Sequence, residues 1–153
     1  MTKSIRNSAK ALILEDQHVL LIKKQDEAGV YYIFPGGGQE KGETLEQAVQ
    51  RECLEELDVK VLVQELGYIR EYIGKNHEFA AMDEEVHQVE FYFRCEIQET
   101  SINGQPVQPD TDQIGMEWLP IERLDDFRIY PKAIVKPVQN HTKGNPVYLG
   151  DVN

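Results

Sequence analysis

An α/β sandwich is the fold class that this chain predicts, and three observations predict it. Two apolar runs flank a tight polar turn near the start, a capped helical segment follows the glycines, and a long run of alternating apolar and polar residues comes later. With 153 residues, 41% of them hydrophobic, a single domain over residues 1–153 is the expected organisation. No internal repeat or low-complexity tract points elsewhere.

Lys10 to Leu14 and Val19 to Lys23 are the two apolar runs, and Glu15-Asp16-Gln17-His18 between them reads as a hairpin turn. Tyr31 to Phe34 is an aromatic and β-branched strand ended by Pro35 and the glycines Gly36, Gly37 and Gly38. Thr44-Leu45-Glu46-Gln47 is a capping box, a hydroxyl with a Gln three residues on, and the helix formers behind it predict a helix over Leu45 to Leu57. Val59 to Tyr72, interrupted by Gly67, reads as a strand. In the next, Val89, Phe91, Phe93, Cys95 and Ile97 alternate with polar neighbours, the pattern of a half-buried strand. The stretches from Gly74 to His87 and from Thr100 to Gln113 read as surface loops. After a short run around Met116 to Leu119, Pro120 opens a helical turn, and a second helix is expected near Pro131 to Gln139, weakened by Pro137.

Charge and composition exclude several functions. Sixteen basic against 27 acidic residues give a net charge of -11, which argues against nucleic-acid binding through a basic surface and leaves an anionic substrate in need of metal ions. No window approaches the roughly 18 to 20 apolar residues of a membrane helix. Cys53 and Cys95 stand in no ligand spacing and read as core residues of a reduced, cytoplasmic protein. Gly37 to Thr44 has the glycines of a phosphate-binding P-loop, but Glu43 occupies the lysine position. Asp110-Thr111-Asp112 resembles a calcium loop in outline, yet Ile114 and Ile121 fill two ligand positions.

On a helical wheel at roughly 100° per residue, Leu45, Ala48, Val49 and Cys53 form one stripe, and Glu52, Glu55 and Glu56 continue it. Like charges at this spacing repel one another, and Arg51, on the opposite side with Gln47 and Gln50, is expected to point away from them. Seven acidic and two basic residues between Gly37 and Val59 concentrate nearly half of the excess charge there. Grouped carboxylate oxygens suit a hard divalent cation such as Mg²⁺ or Mn²⁺, and the glycines allow a main-chain group to approach it or a phosphate.

Gly37, Glu43 and Arg51-Glu52-Cys53-Leu54-Glu55-Glu56, behind Phe34-Pro35-Gly36-Gly37, closely resemble the Nudix box of the Nudix hydrolase superfamily. Asp58 stands where the family usually has glycine, and Cys53 where a larger aliphatic is usual; Asp tolerates the left-handed backbone expected there. The resemblance implies an α/β/α sandwich with a mixed β-sheet and the metal-dependent hydrolysis of a nucleoside diphosphate derivative (NDP-X). Carried over, Glu52, Glu55 and Glu56 are the metal ligands and catalytic carboxylates, with the Gly36 carbonyl as an addition, while Gly37, Glu43 and Arg51 brace the motif. Mg²⁺ is the implied ion, with Mn²⁺ an alternative, and homodimers are common in the family.

The catalytic base stays open between the box glutamates and Glu84, Glu85, Asp110 or Asp112 in the loops. Arg6, Tyr32 and Phe34 are candidate substrate contacts, against the plainer reading of a solvated charge and two packed rings. Tyr72, Phe79 and Trp118 read as core or rim. ADP-ribose or a nucleotide sugar is the favoured substrate, with a nucleoside triphosphate close behind. A nucleotide-sensing module without turnover is the alternative of a different class.

Overall fold

The computed structural model describes residues 4–100, 113–140 and 147–153. Its organising strand is β1 (Arg6–Glu15), followed by β2 (His18–Asp26), β3 (Gly29–Ile33), β4 (Gly36–Gly38), helix α1 (Leu45–Leu57) and β5 (Val59–Ile73). A 3-10 turn and the short helix α2 (Ala80–Asp83) lead into β6 (His87–Thr100); then come β7 (Gln113–Pro120), β8 (Ile129–Tyr130), α3 (Val135–Gln139) and β9 (Tyr148–Asp151). The sheet runs β8-β3-β2-β1-β6-β5-β9, with β4 also paired to β1 and β7 to β2. It is mixed: β1 and β6, β3 and β8, and β5 and β9 pair in parallel, and the other pairs are antiparallel. Among the described residues no helix is long and apolar enough to cross a membrane.

Alternation along β1 divides the core in two. Ala9, Ala11 and Ile13 are fully buried in one cluster with Ala48, Val49 and Cys53 of α1. Leu12, of opposite parity, packs in a second cluster with Tyr92, Leu124, Ile134 and Val138. The sheet is therefore covered on one face by α1 and on the other by α3 and the 3-10 turns beside it, the α/β/α layering expected.

The sheet splays where β1 changes partner. β1 meets β2 in register only at Leu14↔Val19 and Glu15↔His18, beside a turn in which Asp16 and Gln17 both take positive φ (48° and 62°). Further toward its start β1 is paired instead with the glycines of β4, Ser8↔Gly38 to Lys10↔Gly36, so β2 and β3 diverge from β1 and leave a cleft between two half-sheets.

Three strands were not legible as such. β4 is three glycines with no side-chain pattern, β8 has two residues, and β9 lies in the tail beyond His141. The Gly74–His87 connection carries a 3-10 turn and α2 rather than irregular loop alone. β5 runs unbroken through Gly67 because register shifts between Val63 and Tyr68 absorb the interruption. The expected loop at 101–112, with the candidate bases Asp110 and Asp112, lies outside the described residues.

Candidate active site

The site is built on α1 and the glycine strand that faces it. Thr44 caps the helix reciprocally: its hydroxyl accepts from Gln47 N (3.1 Å), and the Gln47 side chain accepts from Thr44 N (2.8 Å). At the other end Asp58 sits in the left-handed region (φ 55°, ψ 40°) and donates its N–H to the last helical carbonyls, the role in which glycine is usual. Ala48, Val49 and Cys53 fix the helix to the sheet, which turns Glu52 and Glu56 toward β4.

The three glutamates differ in environment. Glu56 is buried, with 6% of its surface exposed, and accepts from Gly36 N at 3.1 Å. Burial, reinforced by the Glu52 carboxyl beside it, pushes its pKa up to about 8, against the opposing charge of Lys10 and the Gly36 amide. Glu52 and Glu55 are progressively more open, with side chains 16% and 34% exposed. A Cβ on Gly37 would stand 2.6 Å from Glu52 Oε1, so glycine is required for the carboxylate to lie against the strand. Gly36 has φ +134°, and a Cβ there would meet Ala9 O at 2.2 Å.

Arg51 does not point away, which corrects the wheel. Its guanidinium clasps both Glu43 oxygens (Nε 3.1 Å, Nη2 2.7 Å), donates to Gly38 O (2.9 Å), and reaches Glu52 Oε1 (3.0 Å) and Glu55 Oε2 (3.3 Å). A wheel locates Cα positions, whereas a long flexible side chain can curl over its own turn toward carboxylates. The bonds from Arg51 hold the Glu43 carboxyl below the usual carboxylate range, and Glu43 in turn accepts from Glu40 N at 2.8 Å. Among the described residues no three His, Cys, Asp or Glu side chains already converge as a metal cage. Arg51 Nη1 takes one oxygen each of Glu52 and Glu55. The donor set still suits a hard cation: two neighbouring carboxyls, one buried with a raised pKa, beside a glycine strand.

Arg6 is exposed, and its guanidinium lies against Gly38, where a Cβ would come within 2.4 Å of Nη2. Tyr32 and Phe34 are corrections: they are 6% and 1% exposed, packed edge-on against Phe127 and Tyr92, and present no open ring face to a substrate. The residues of opposite parity, Tyr31 and Ile33, line a cavity of about 390 Å³ between the half-sheets. Phe79, Tyr130 and Tyr72 contribute further aromatic walls, and Asp26, Asp83, Arg128 and Asn153 polar ones. Arg128 is held bidentately by Asp26 (2.8 and 2.7 Å) with its guanidinium 5.0 Å from the Tyr31 ring centre and 5.4 Å from that of Tyr130. Tyr72 and Phe79 are thus cavity walls, whereas Trp118 lies apart, beside Glu15, Asp16 and His18. Lys10, whose side chain crosses Gly36, and the Arg128 clamp were missed in the sequence, although the parity of the strand before Pro35 carried the signal for Tyr31. Glu84 and Glu85 are exposed between α2 and β6.

The family model for the NUDIX domain matches residues 5–137. Over 58 residues the chain is 41% identical to nucleoside triphosphatase NudI of Escherichia coli O139:H28, covering 36% of this chain and 41% of that protein. Over 49 residues it is 45% identical to NAD-capped RNA hydrolase NudC of Photorhabdus laumondii, covering 32% of this chain and 19% of that one. The chain therefore spans less than half the length of these two relatives. A NUDIX hydrolase structure from Nitrosomonas europaea superposes with a TM-score of 0.68 at 20% identity, covering 88% of this chain and 86% of that one, a likeness of fold. Taken with the box on α1 and the mixed, splayed sheet, the family match over residues 5–137 shows that the chain belongs to the NUDIX domain family.

Proposed function

We propose that this chain is a Mg²⁺-dependent pyrophosphohydrolase that cleaves the diphosphate linkage of an NDP-X substrate. The observation that carries the reading is the juxtaposition of the glutamates of α1, one of them buried with a raised pKa, with the glycine strand β4, which follows in the chain directly after the strand whose Tyr31 and Ile33 line the aromatic-walled cavity. Glu52, Glu55 and Glu56 would hold the cation, with the Gly36 carbonyl as a further ligand. Bound there, the cation would supply the positive charge that neutralises diphosphate oxygens and activates water.

The chain's own residues account for the rest. Arg51, clasping Glu43 and Gly38 O, keeps the glycine strand and the helix in fixed relation, and its Nη1 bonds to Glu52 and Glu55 hold the two carboxylates beside the place where a cation would bind. Arg6 places a guanidinium against Gly38, within reach of a phosphate approaching the strand. Glu55, the most exposed of the three, accepts the proton released by the attacking water. The cavity takes the nucleoside, its base against the aromatic walls and the Arg128 guanidinium.

Incubation with Mg²⁺ and a panel of ADP-ribose, nucleotide sugars and nucleoside triphosphates, with product identification and Glu56→Gln alongside, tests this. Release of a nucleoside monophosphate and a phosphorylated X group, lost in the variant, is the expected outcome. Release of pyrophosphate from a triphosphate would instead favour the second reading, for which the likeness to NudI speaks. Metal-independent turnover, or full activity in the variant, would overturn both.

A further inference from the structure

We infer that β9 and Arg70 are the positioning device for the nucleoside cavity, fixing its outer wall from behind; the inference rests on the reading of that cavity as the nucleoside subsite. The wall is the connection from β5 to β6 together with Asn153, and it supplies Phe79, Met82 and Asp83 to the cavity. Asp151 of β9 is the first clamp. Its carboxylate accepts from Ile73 N (2.9 Å), from Asn76 Nδ2 (3.0 Å) and from the His77 ring (2.6 Å), three donors at the entrance of the connection. The His77 ring so held stacks on Tyr72 (5.4 Å between centres, 16° between planes), and the Tyr72 hydroxyl donates to Asp83 at 2.6 Å. One carboxylate that does not itself line the cavity thus reaches two residues that do.

Arg70 is the second clamp. It is buried, paired with Glu90 at 2.6 Å, and its guanidinium lies 5.1 Å from the Tyr72 ring centre. Its Nη1 binds Val152 O (2.7 Å) and Asn153 Oδ1 (3.2 Å), while Asn153 Nδ2 donates to Glu78 of the connection. The connection is also closed on itself, since Gly74 brings its turn against Asp83: a Cβ at Gly74 would stand 1.9 Å from Asp83 O. β9 reaches the second core cluster through the partly buried Leu149, but Tyr148 is 57% exposed and none of the strand's residues is fully buried. A strand attached chiefly through directional polar bonds, at the back of a cavity wall, fixes geometry more than it adds apolar burial.

The experiment compares wild type with Asp151→Ala and Asp151→Asn, measuring affinity for AMP, GMP, CMP and UMP calorimetrically without metal, and KM and kcat on the substrate found by the panel. Loss of the clamp is expected to weaken binding of the preferred monophosphate and raise KM by about fivefold to tenfold, with kcat within about twofold, as for a few lost hydrogen bonds. Asp151→Asn, which keeps an acceptor for Ile73 N, restores part of the affinity. Asn153→Ala, which shortens the wall itself, weakens binding similarly. Unchanged affinity in Asp151→Ala overturns the inference, as does a parallel fall in kcat, affinity and melting temperature without rescue by Asp151→Asn. Absence of monophosphate binding in wild type overturns it too. Absence of turnover alongside normal monophosphate binding overturns the hydrolase reading and leaves the clamp measured.

Discussion

Glu56→Gln separates the electrostatics of the site from its packing. In the metal-free protein, the Glu56 carboxyl is raised from 4.5 to about 8, mainly by burial. It binds its proton more tightly folded than unfolded, so its contribution is complete below about pH 4.5 and is lost as the pH climbs through about 8. At ~1.4 kcal/mol per unit, the alkaline loss is ~5 kcal/mol, which in a chain of this size moves the melting temperature by ~10–20 °C. Gln is nearly isosteric, keeps an acceptor for Gly36 N and does not ionise, so the variant forgoes that loss. Thermal unfolding in a chelator from about pH 5 to about pH 9 should give similar curves for the two proteins at the acid end and a more stable variant at the alkaline end. Mg²⁺ added at the alkaline end should raise wild type and leave the variant nearly unmoved. Parallel pH profiles for the two proteins would refute the reasoning, because the substitution removes the Glu56 carboxyl from titration.

Gly36→Ala and Gly37→Ala should fail differently: the first sets a Cβ 2.2 Å from Ala9 O and should cost at least ~2 kcal/mol in denaturant unfolding. The second meets only the movable end of Glu52, and should leave stability nearly intact while weakening the Mg²⁺ dependence of activity about tenfold. Arg51→Lys keeps the charge but loses the fork that spans Glu43 and Gly38 O; a melting temperature lower by ~4–8 °C, with reduced turnover, is expected. Asp58→Gly relieves a left-handed backbone (φ 55°) and removes a carboxylate from a helix C-terminus, so denaturant titration should show a gain of ~0.5–1 kcal/mol.

The parts of this protein that were legible in its sequence are those written in periodicity or local chemistry. The α1 boundaries follow from a capping box and a run of helix formers, and the hairpin and β6 follow from alternation. The box residues were legible because a helix at fixed spacing must bring Glu52 and Glu56 to one face. What long-range pairing decides was not. The three glycines of β4 pair because β1 offers them an edge, and β9 owes its place to Arg70 and to the β5 edge. Parity was the subtler miss: Tyr32 and Tyr31 are equally aromatic, and only the half-sheet packed behind them decides which faces the cleft. The reach of Arg51 escaped the wheel because a guanidinium goes where carboxylates converge, whatever the direction of its Cα.

The splay of the sheet gives the cleft a lever. The two half-sheets are joined in register at the hairpin by two residue pairs, while the arm formed by β2 carries nine residues, a span of about 30 Å. A rotation of only about 2° at the hairpin therefore displaces the far end, where Asp26 and Tyr31 border the cavity, by about 1 Å, the scale on which fit to a substrate is won or lost. α1 restrains that swing, because Leu20 and Ile22 of β2 are buried in one cluster with its Ala48, Val49 and Cys53, and Gln113 of β7 donates to Glu56 O (3.1 Å). The width of the cavity can thus be tuned from the Asp16-Gln17 turn, at the opposite end of the arm, against the restraint that the packing of β2 on α1 imposes.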